Sequence, residues 1–257
     1  MGLTHSSSTK QGLKDLFNVE KTKNDDYVIA LAGNPNTGKS TVFNSLTGLH
    51  QHTGNWPGKT VVNSQGKYGH NDKGFIIVDL PGTYSLLASS VEEIVARDFI
   101  CFGKPDVTVV VLDATCIERN LNLLLQVLEI TDKVVACVNL MDEAKSKNIK
   151  INIEALSKEL GIPVVPTSAR NNVGMNNLKD TIYNLCTNKI HTNPLQIKYP
   201  TDIEEELKQL TLMLNPMFMD KINTKWLALR LLDGDRSLID SISKFLDYDL
   251  GISRKCI

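Results

Sequence analysis

The chain has 257 residues, 42% of them apolar, and a formal net charge of -1. That length suits one large domain plus a small one, and the apolar share can fill a sizeable core. The near-zero charge excludes a global basic field for holding nucleic acid or an acidic membrane face.

The first stretch, residues 1–26, is rich in Ser, Thr and Lys, so it reads as neither a signal peptide nor a membrane span. Nowhere do about 18 apolar residues run together, and the sequence as given is expected to be soluble. Tyr27 to Ala32 (YVIALA) reads as a buried strand that runs into a glycine-bearing loop and then a helix from about Lys39. Val61 to Tyr68 alternates more and reads as an antiparallel edge strand. Phe75 to Leu80, Val107 to Leu112, Val134 to Val138 and Ile162 to Val165 are further apolar runs. Helical patterns lie between them at Val91 to Phe102, Arg119 to Ile130, Ile153 to Leu160 and Met175 to Leu185. Apolar runs of this length separated by helices predict parallel strands covered on both faces. After Leu185 the texture changes. Thr187 to Thr201 is polar, carries Pro194 and Pro200, and reads as a linker. Ile203 to Leu214, Thr224 to Leu232 and Ser237 to Leu246 then show helical spacing, with Asp202 and Thr224 as caps. The expected fold is α/β: a mostly parallel sheet with helices on both faces, plus a small C-terminal all-helical domain. The expected division is an N-terminal extension (1–26), an α/β domain (27–190) and a helical domain (191–257).

The chemistry starts at Gly33-Asn34-Pro35-Asn36-Thr37-Gly38-Lys39-Ser40, followed by Thr41, which matches GxxxxGK[ST]. The placement is right, between a strand and a helix. Glycines let backbone N–H groups converge on phosphates, and the helix N-terminus adds its dipole. Lys39 supplies a point charge for the β- and γ-phosphates, and Ser40 a hydroxyl for Mg²⁺. A phosphate loop alone does not separate ATP from GTP. Asp79-Leu80-Pro81-Gly82 forms a DxxG whose aspartate suits a Mg²⁺-bound water and whose Gly82 N–H suits the γ-phosphate. Asn139-Leu140-Met141-Asp142 forms an NxxD, and a carboxylate there accepts two N–H donors that guanine presents and adenine does not. Thr167-Ser168-Ala169-Arg170 follows the next strand, where its backbone faces the guanine O6. Each element stands at the C-terminal end of a strand, where α/β sheets bind ligands. Taken alone, each motif has a plain structural alternative: a glycine turn, a Pro-Gly turn after a strand, or a helix cap by Asp142.

These residues resemble the translation-factor-like GTPases, which implies a Ras-like P-loop GTPase fold with 27–190 as the G domain. More narrowly, GNPNTGKS, Gly54-Asn55-Trp56-Pro57-Gly58-Lys59-Thr60-Val61, DLPGTYSL, NLMD and TSAR resemble the cytosolic N-terminal G domain of the FeoB family of bacterial ferrous iron transporters. The segment Lys225 to Asp235 resembles that family's helical domain, which is thought to slow GDP release. The resemblance implies a Mg²⁺-dependent, K⁺-stimulated GTPase that binds GTP and GDP. Thr60 would join Ser40 and Asp79 on Mg²⁺, Asn36 would hold K⁺, and Gly54 to Thr60, with Gly58 and Lys59, would form the lid. Asn36, Lys39, Thr60, Gly82 and Thr83 would surround the reacting phosphate. Asn139, Met141, Asp142, Ser168, Ala169 and Arg170 would frame the base. Trp56 would sit in a mobile first switch. Thr83 stands where many regulatory GTPases place a water-positioning glutamine, so slow hydrolysis is expected. Leu140 replaces the usual lysine of NKxD. The implied setting is the cytoplasmic part of a plasma-membrane protein. Its partner would be a transmembrane Fe²⁺ permease portion, a homo-oligomer is left open, and no nucleic acid is expected. The competing reading is a soluble K⁺-dependent GTPase in RNA modification or ribosome assembly.

His50 and His52 have metal-ligand-like spacing beside the first switch but read as exposed residues. His5, His70 and His191 read as surface residues. Trp226 reads as core of the helical domain. The cysteines at 101, 116, 137, 186 and 256 form no CxxC pair and read as free buried thiols, with Cys256 set apart near the end.

Overall fold

The computed structural model describes residues 25–48, 51–87, 89–219 and 221–246, together with Phe17, Val19, Lys21 and Lys23. His5, His50 and Cys256 lie outside the described residues. The strands are β1 (Tyr27–Gly33), β2 (Gln51–Asn55), β3 (Val62–His70), β4 (Lys73–Asp79), β5 (Val107–Asp113), β6 (Val134–Asn139) and β7 (Val164–Pro166). They form one sheet in the order β2-β3-β4-β1-β5-β6-β7. The strands from β4 to β7 are parallel, while β3 runs antiparallel to both β4 and β2. The helices are α1 (Lys39–Thr47), α2 (Val91–Phe102), α3 (Ile117–Ile130), α4 (Met141–Ser146), α5 (Ile153–Leu160), α6 (Met175–Cys186), α7 (Thr201–Phe218), α8 (Thr224–Leu232) and α9 (Arg236–Leu246).

Continuous apolar strands follow from two buried faces. Along β1, Val28, Ala30 and Ala32 face one core, while Ile29 and Leu31 face the other. The second core is closed by α1 and α6 through Phe43, Leu46, Leu178 and Ile182. The first continues through Phe99 of α2 and Leu124 of α3 into Leu214, Trp226 and Ile242 of the C-terminal helices. The helical region therefore shares one apolar core with a face of the sheet, and Trp226 packs there as expected.

Several expectations need correction. The strand at Val62–His70 is antiparallel but not the edge, because the polar β2 pairs outside it. QHTGN carries no apolar alternation, so only backbone pairing reveals it as a strand. Asn71 and Asp72, both at positive φ, make the two-residue turn between β3 and β4. The cap of α8 is Asn223, whose side chain accepts from Trp226 N–H, rather than Thr224. Asp202 lies within the first turn of α7, where Pro200 precedes it. Cys116 is exposed, while Cys101, Cys137 and Cys186 are buried. Burial pushes the thiols of Cys137 and Cys186 up to about 12. His70 is half-buried and pairs with Asp180 at 2.7 Å.

The seam between α2 and α9 is polar and buried. Arg97 is fully buried, and its Nε and Nη2 donate to Asp98 Oδ1 at 3.0 and 2.8 Å. Nη1 donates to Asp235 Oδ2 at 3.0 Å and Ser237 Oγ at 2.7 Å, and Nη2 also reaches Ser241 Oγ at 2.9 Å. Ser241 in turn donates to Asp98 Oδ2 at 2.9 Å. Burial raises the Asp98 carboxyl, and the Arg97 guanidinium beside it pulls the other way.

Candidate functional site

The loops at the C-terminal ends of β1, β4, β6 and β7 converge. The first leaves β1 at Gly33, and a Cβ there would come within 2.8 Å of the Val111 carbonyl oxygen of β5. Asn36 (φ 66) and Gly38 (φ 78) take left-handed backbone, and Gly38 is the residue before α1. A Cβ at Gly38 would lie 2.4 Å from Asn139 Nδ2, so this turn demands glycine twice over. Thr37 is buried and bonds its own loop through Asn34 O at 3.0 Å. Asn36 and Ser40 are exposed at the mouth, as is Thr41.

Asp79 ends β4, and one of its oxygens accepts from Lys39 Nζ. Burial raises the Asp79 carboxyl, and the Lys39 ammonium opposes that rise. The following turn is tied to the phosphate loop: Thr83 N–H donates to Gly33 O at 3.4 Å, and a Cβ at Gly82 would meet Pro35 at 3.5 Å. Glu93 in the first turn of α2 braces the same segment, accepting from Ser85 Oγ at 3.0 Å and Ser89 N–H at 2.8 Å.

Asn139 is the joint between the loops. It is fully buried. Its Nδ2 donates to Thr37 O at 3.1 Å, while its Oδ1 accepts from Thr167 Oγ1 at 3.2 Å and Ala169 N–H at 3.0 Å. One side chain thus holds the phosphate loop against the loop after β7. Leu140 takes left-handed backbone (φ 63), and its Cδ2 lies 3.7 Å from where a Gly38 Cβ would stand. Asp142 is exposed, its N–H donating to Ser168 Oγ at 3.1 Å and its Oδ2 accepting from Asn171 Nδ2 at 3.0 Å. Met141 is half-buried beside it, and Arg170 is exposed.

In the lid, Gly54 and Asn55 pair with Asn63 and Val62 as the end of β2. Trp56 is buried at 3% exposure, with its ring against Phe99. Its size and aromatic character drive it under the sheet edge, and its N–H and carbonyl close the turn to Val61 and Lys59. Gly58 and Thr60 are exposed on that turn, and Lys59 is half-buried. No hydrogen bond among the described residues joins Thr60 to Ser40 or Asp79.

Asp79 is a carboxylate beside a lysine, and Ser40 offers a hydroxyl in the first turn of α1, both oxygen donors of the hard kind that fits a divalent cation such as Mg²⁺. Among the described residues no group of three His, Cys, Asp or Glu could hold a metal by itself. Such a cation would rely on phosphate and water for its remaining ligands. Asn34 is buried, and its Oδ1 has no partner among the described residues. That is uncommon for a buried acceptor and suits a loop completed by ligand or water. The sequence carries no sign of Asn171 or Arg97, and it names Thr167 only as part of the loop after β7, not as a partner of Asn139. Their neighbours are distant in the chain, and no local pattern marks them.

Comparison with known proteins narrows the reading. The family model "Ferrous iron transport protein B" matches residues 27–182, and "FeoB cytosolic helical domain" matches 199–251. The Fe(2+) transporter FeoB of Methanocaldococcus jannaschii is 45% identical over 211 residues, which is 82% of this chain and 31% of that protein. The chain thus spans about a third of the length of that relative. The cytosolic domain of the T. maritima FeoB iron transporter in a GDP form superposes with TM-score 0.77 at 36% identity, covering 87% of each chain. The same domain in a GMPPNP form gives TM-score 0.77, also at 36% identity, covering 84% of this chain and 85% of that one. Fold, loop geometry and family match agree: the chain belongs to the ferrous iron transport protein B family and carries that family's G domain and helical domain.

Proposed function

We propose that this chain binds GTP and GDP and hydrolyses GTP slowly, as the regulatory part of an Fe²⁺ transporter on the cytoplasmic side of a membrane. Its nucleotide state would govern iron uptake through a transmembrane permease portion of the same protein. The division into an extension (1–26), a G domain (27–190) and a helical domain (191–257) belongs to this reading. Among the described residues no helix is long and apolar enough to cross a membrane.

The observation that carries it is Asn139. By bonding Thr37 O on one side and Ala169 N–H on the other, it fixes the phosphate loop and the base loop in one frame. Asp142 is left exposed at the mouth of that frame for a guanine edge. The N–H groups of the loop Gly33 to Ser40 and the Lys39 ammonium hold the phosphates, and the α1 N-terminus adds its dipole. Ser40, Asp79 and Thr60 hold Mg²⁺, and Asn36 holds K⁺. Bound there, these ions supply positive charge to the phosphates as hydrolysis develops negative charge. Gly82 N–H meets the γ-phosphate. Thr83 offers no carboxamide to orient water, so the backbone does it and turnover is slow. Thr60 reaches its place only if the turn after Trp56 swings in, which makes this segment the switch. The transporters among the relatives weigh against a soluble GTPase acting on RNA.

Displacement of a fluorescent GDP analogue tests the reading. GTP and GDP should displace it and ATP should not, and equal displacement by ATP would overturn the role of Asp142. Hydrolysis should be faster in K⁺ than in Na⁺, and Asn36→Ala should abolish that difference. Stimulation that persists in the variant would remove the cation from Asn36.

A further inference from the structure

The family match begins at residue 27, yet the chain places a residue from before that point in its core. Phe17 is 4% exposed and Val19 2%. The Phe17 ring stacks on Phe245 of α9 at 5.1 Å between centroids. It meets Phe99 of α2 edge-on at 5.3 Å and Trp56 edge-on at 6.3 Å. Trp56 itself packs on Phe99 at 5.4 Å, so the four rings form one cluster. The backbone is held as well: Asn63 Nδ2 of β3 donates to Phe17 O at 3.4 Å. Each ring comes from a different part of the chain, namely the extension, the first switch, the helix α2 after Asp79-Leu80-Pro81-Gly82, and the last described helix.

We propose that the groove between Trp56, Phe99 and Phe245 is a docking site for the chain's own N-terminal segment around Phe17. Seated there, Phe17 fixes the first switch in place against the helical region and slows release of bound nucleotide. The occupant is this chain's own Phe17, whose ring already packs on all three. The physical reason is the cost of separating packed aromatic rings. Trp56 stands four residues before Thr60 on one tight turn, closed by the bonds Trp56 N–H to Val61 O and Lys59 N–H to Trp56 O, both 2.9 Å. Any swing of that turn, the inward one that would carry Thr60 to its place included, drags the indole from its neighbours and exposes the Phe17 ring with it. The same rings touch α2 and α9, so the extension resists relative motion of all three. This inference rests on the nucleotide reading above for what the first switch does, but not for where Phe17 sits.

The test uses the full chain with Trp226→Phe, which leaves Trp56 as the single tryptophan, since the sequence has two. Phe17→Ala should shift Trp56 emission to the red and raise its quenching by acrylamide. It should also speed release of a fluorescent GDP analogue by about 5-fold or more, the lower end of common coupling between sites. Phe17→Leu keeps apolar volume without the ring and should give a smaller change in the same direction, which guards against a variant that simply misfolds. A chain lacking residues 1–24 should behave as Phe17→Ala does, and a peptide of residues 10–25 added in trans should restore slow release. Unchanged emission in Phe17→Ala would overturn the docking, and a red shift with unaltered release would overturn the coupling. Failure of the parent chain to bind the GDP analogue would instead defeat the nucleotide reading, while Trp56 emission would still report on the groove.

Discussion

The loop cluster at the strand ends and the seam between α2 and α9 are both polar, yet the chain treats them in opposite ways. At the loop cluster Asn36, Ser40, Thr60 and Asp142 are exposed, while Asn139 behind them is buried and bonded to two loops. At the seam Arg97 is fully buried, and every guanidinium nitrogen donates to a carboxylate or hydroxyl of its surroundings. Exposed groups at the mouth cost little without a ligand and are available to one. The buried ions of the seam tolerate no missing partner, which ties α2, the helix after Asp79-Leu80-Pro81-Gly82, to the helical region.

The comparison can be broken most severely at Arg97. Arg97→Ala would leave the Asp98 and Asp235 carboxylates without their counter-ion in a buried site, and a loss of about 3–5 kcal/mol is expected. Urea unfolding would measure it, and a loss below about 1 kcal/mol would place the seam on the same footing as an exposed ion pair. Asp142→Asn should do the reverse. It should weaken GDP binding by about 1–3 kcal/mol while leaving the urea midpoint in place, because the carboxylate is exposed in the free chain. A lowered midpoint with unchanged affinity would mean that Asp142 serves the fold rather than a ligand.

Asn171 sharpens the contrast from within the mouth. It donates to Asp142 Oδ2 at 3.0 Å and orients the carboxylate without touching the frame. Asn171→Ala should cost about 0.5–1.5 kcal/mol of GDP affinity, read by titration. Unchanged affinity would show that Asp142 needs no such support. The smallest effect concerns Cys116, exposed at the start of α3 with its Sγ donating to Asp113 Oδ2 at 3.4 Å. Partial burial and that carboxylate raise its thiol, so less thiolate is present at pH 8 than in a free cysteine. In a Cys256→Ser background, alkylation at pH 8 should be slow and should quicken as pH rises. Asp113→Asn should lower the thiol toward its ordinary value and speed the reaction at fixed pH.

How much was legible can be judged residue by residue. The parallel strands were readable because burial on both faces writes an unbroken apolar run, as in Val107 to Leu112. Most helices were readable from spacing, with ends displaced by a residue or two where capping, as at Asn223, is a local choice among near-equivalents. The exceptions are α7, which runs on to Phe218 rather than stopping at Leu214, and the short α4, which was not expected. The strand Gln51–Asn55 was not readable, since its partner strand alone makes it one. Nothing in the local sequence marks Arg97, because Asp235 and Ser241 meet it from about 140 positions away.

What the sequence determined by itself was the α/β architecture and the identity of the motif residues: the spacing Gly33 to Ser40, DxxG at Asp79, NxxD at Asn139 and the loop after Pro166. These rest on local rules of glycine freedom, strand burial and helix polarity, which need few distant contacts. How those pieces are joined came from the three-dimensional packing. Asn139 bridges two loops, Leu140 covers Gly38, Trp56 is buried, and Phe17 reaches the core from outside the family match. Each depends on residues far apart in the chain meeting in space, and an exposed or buried fate for a polar or aromatic side chain is set by that meeting rather than by its neighbours in sequence.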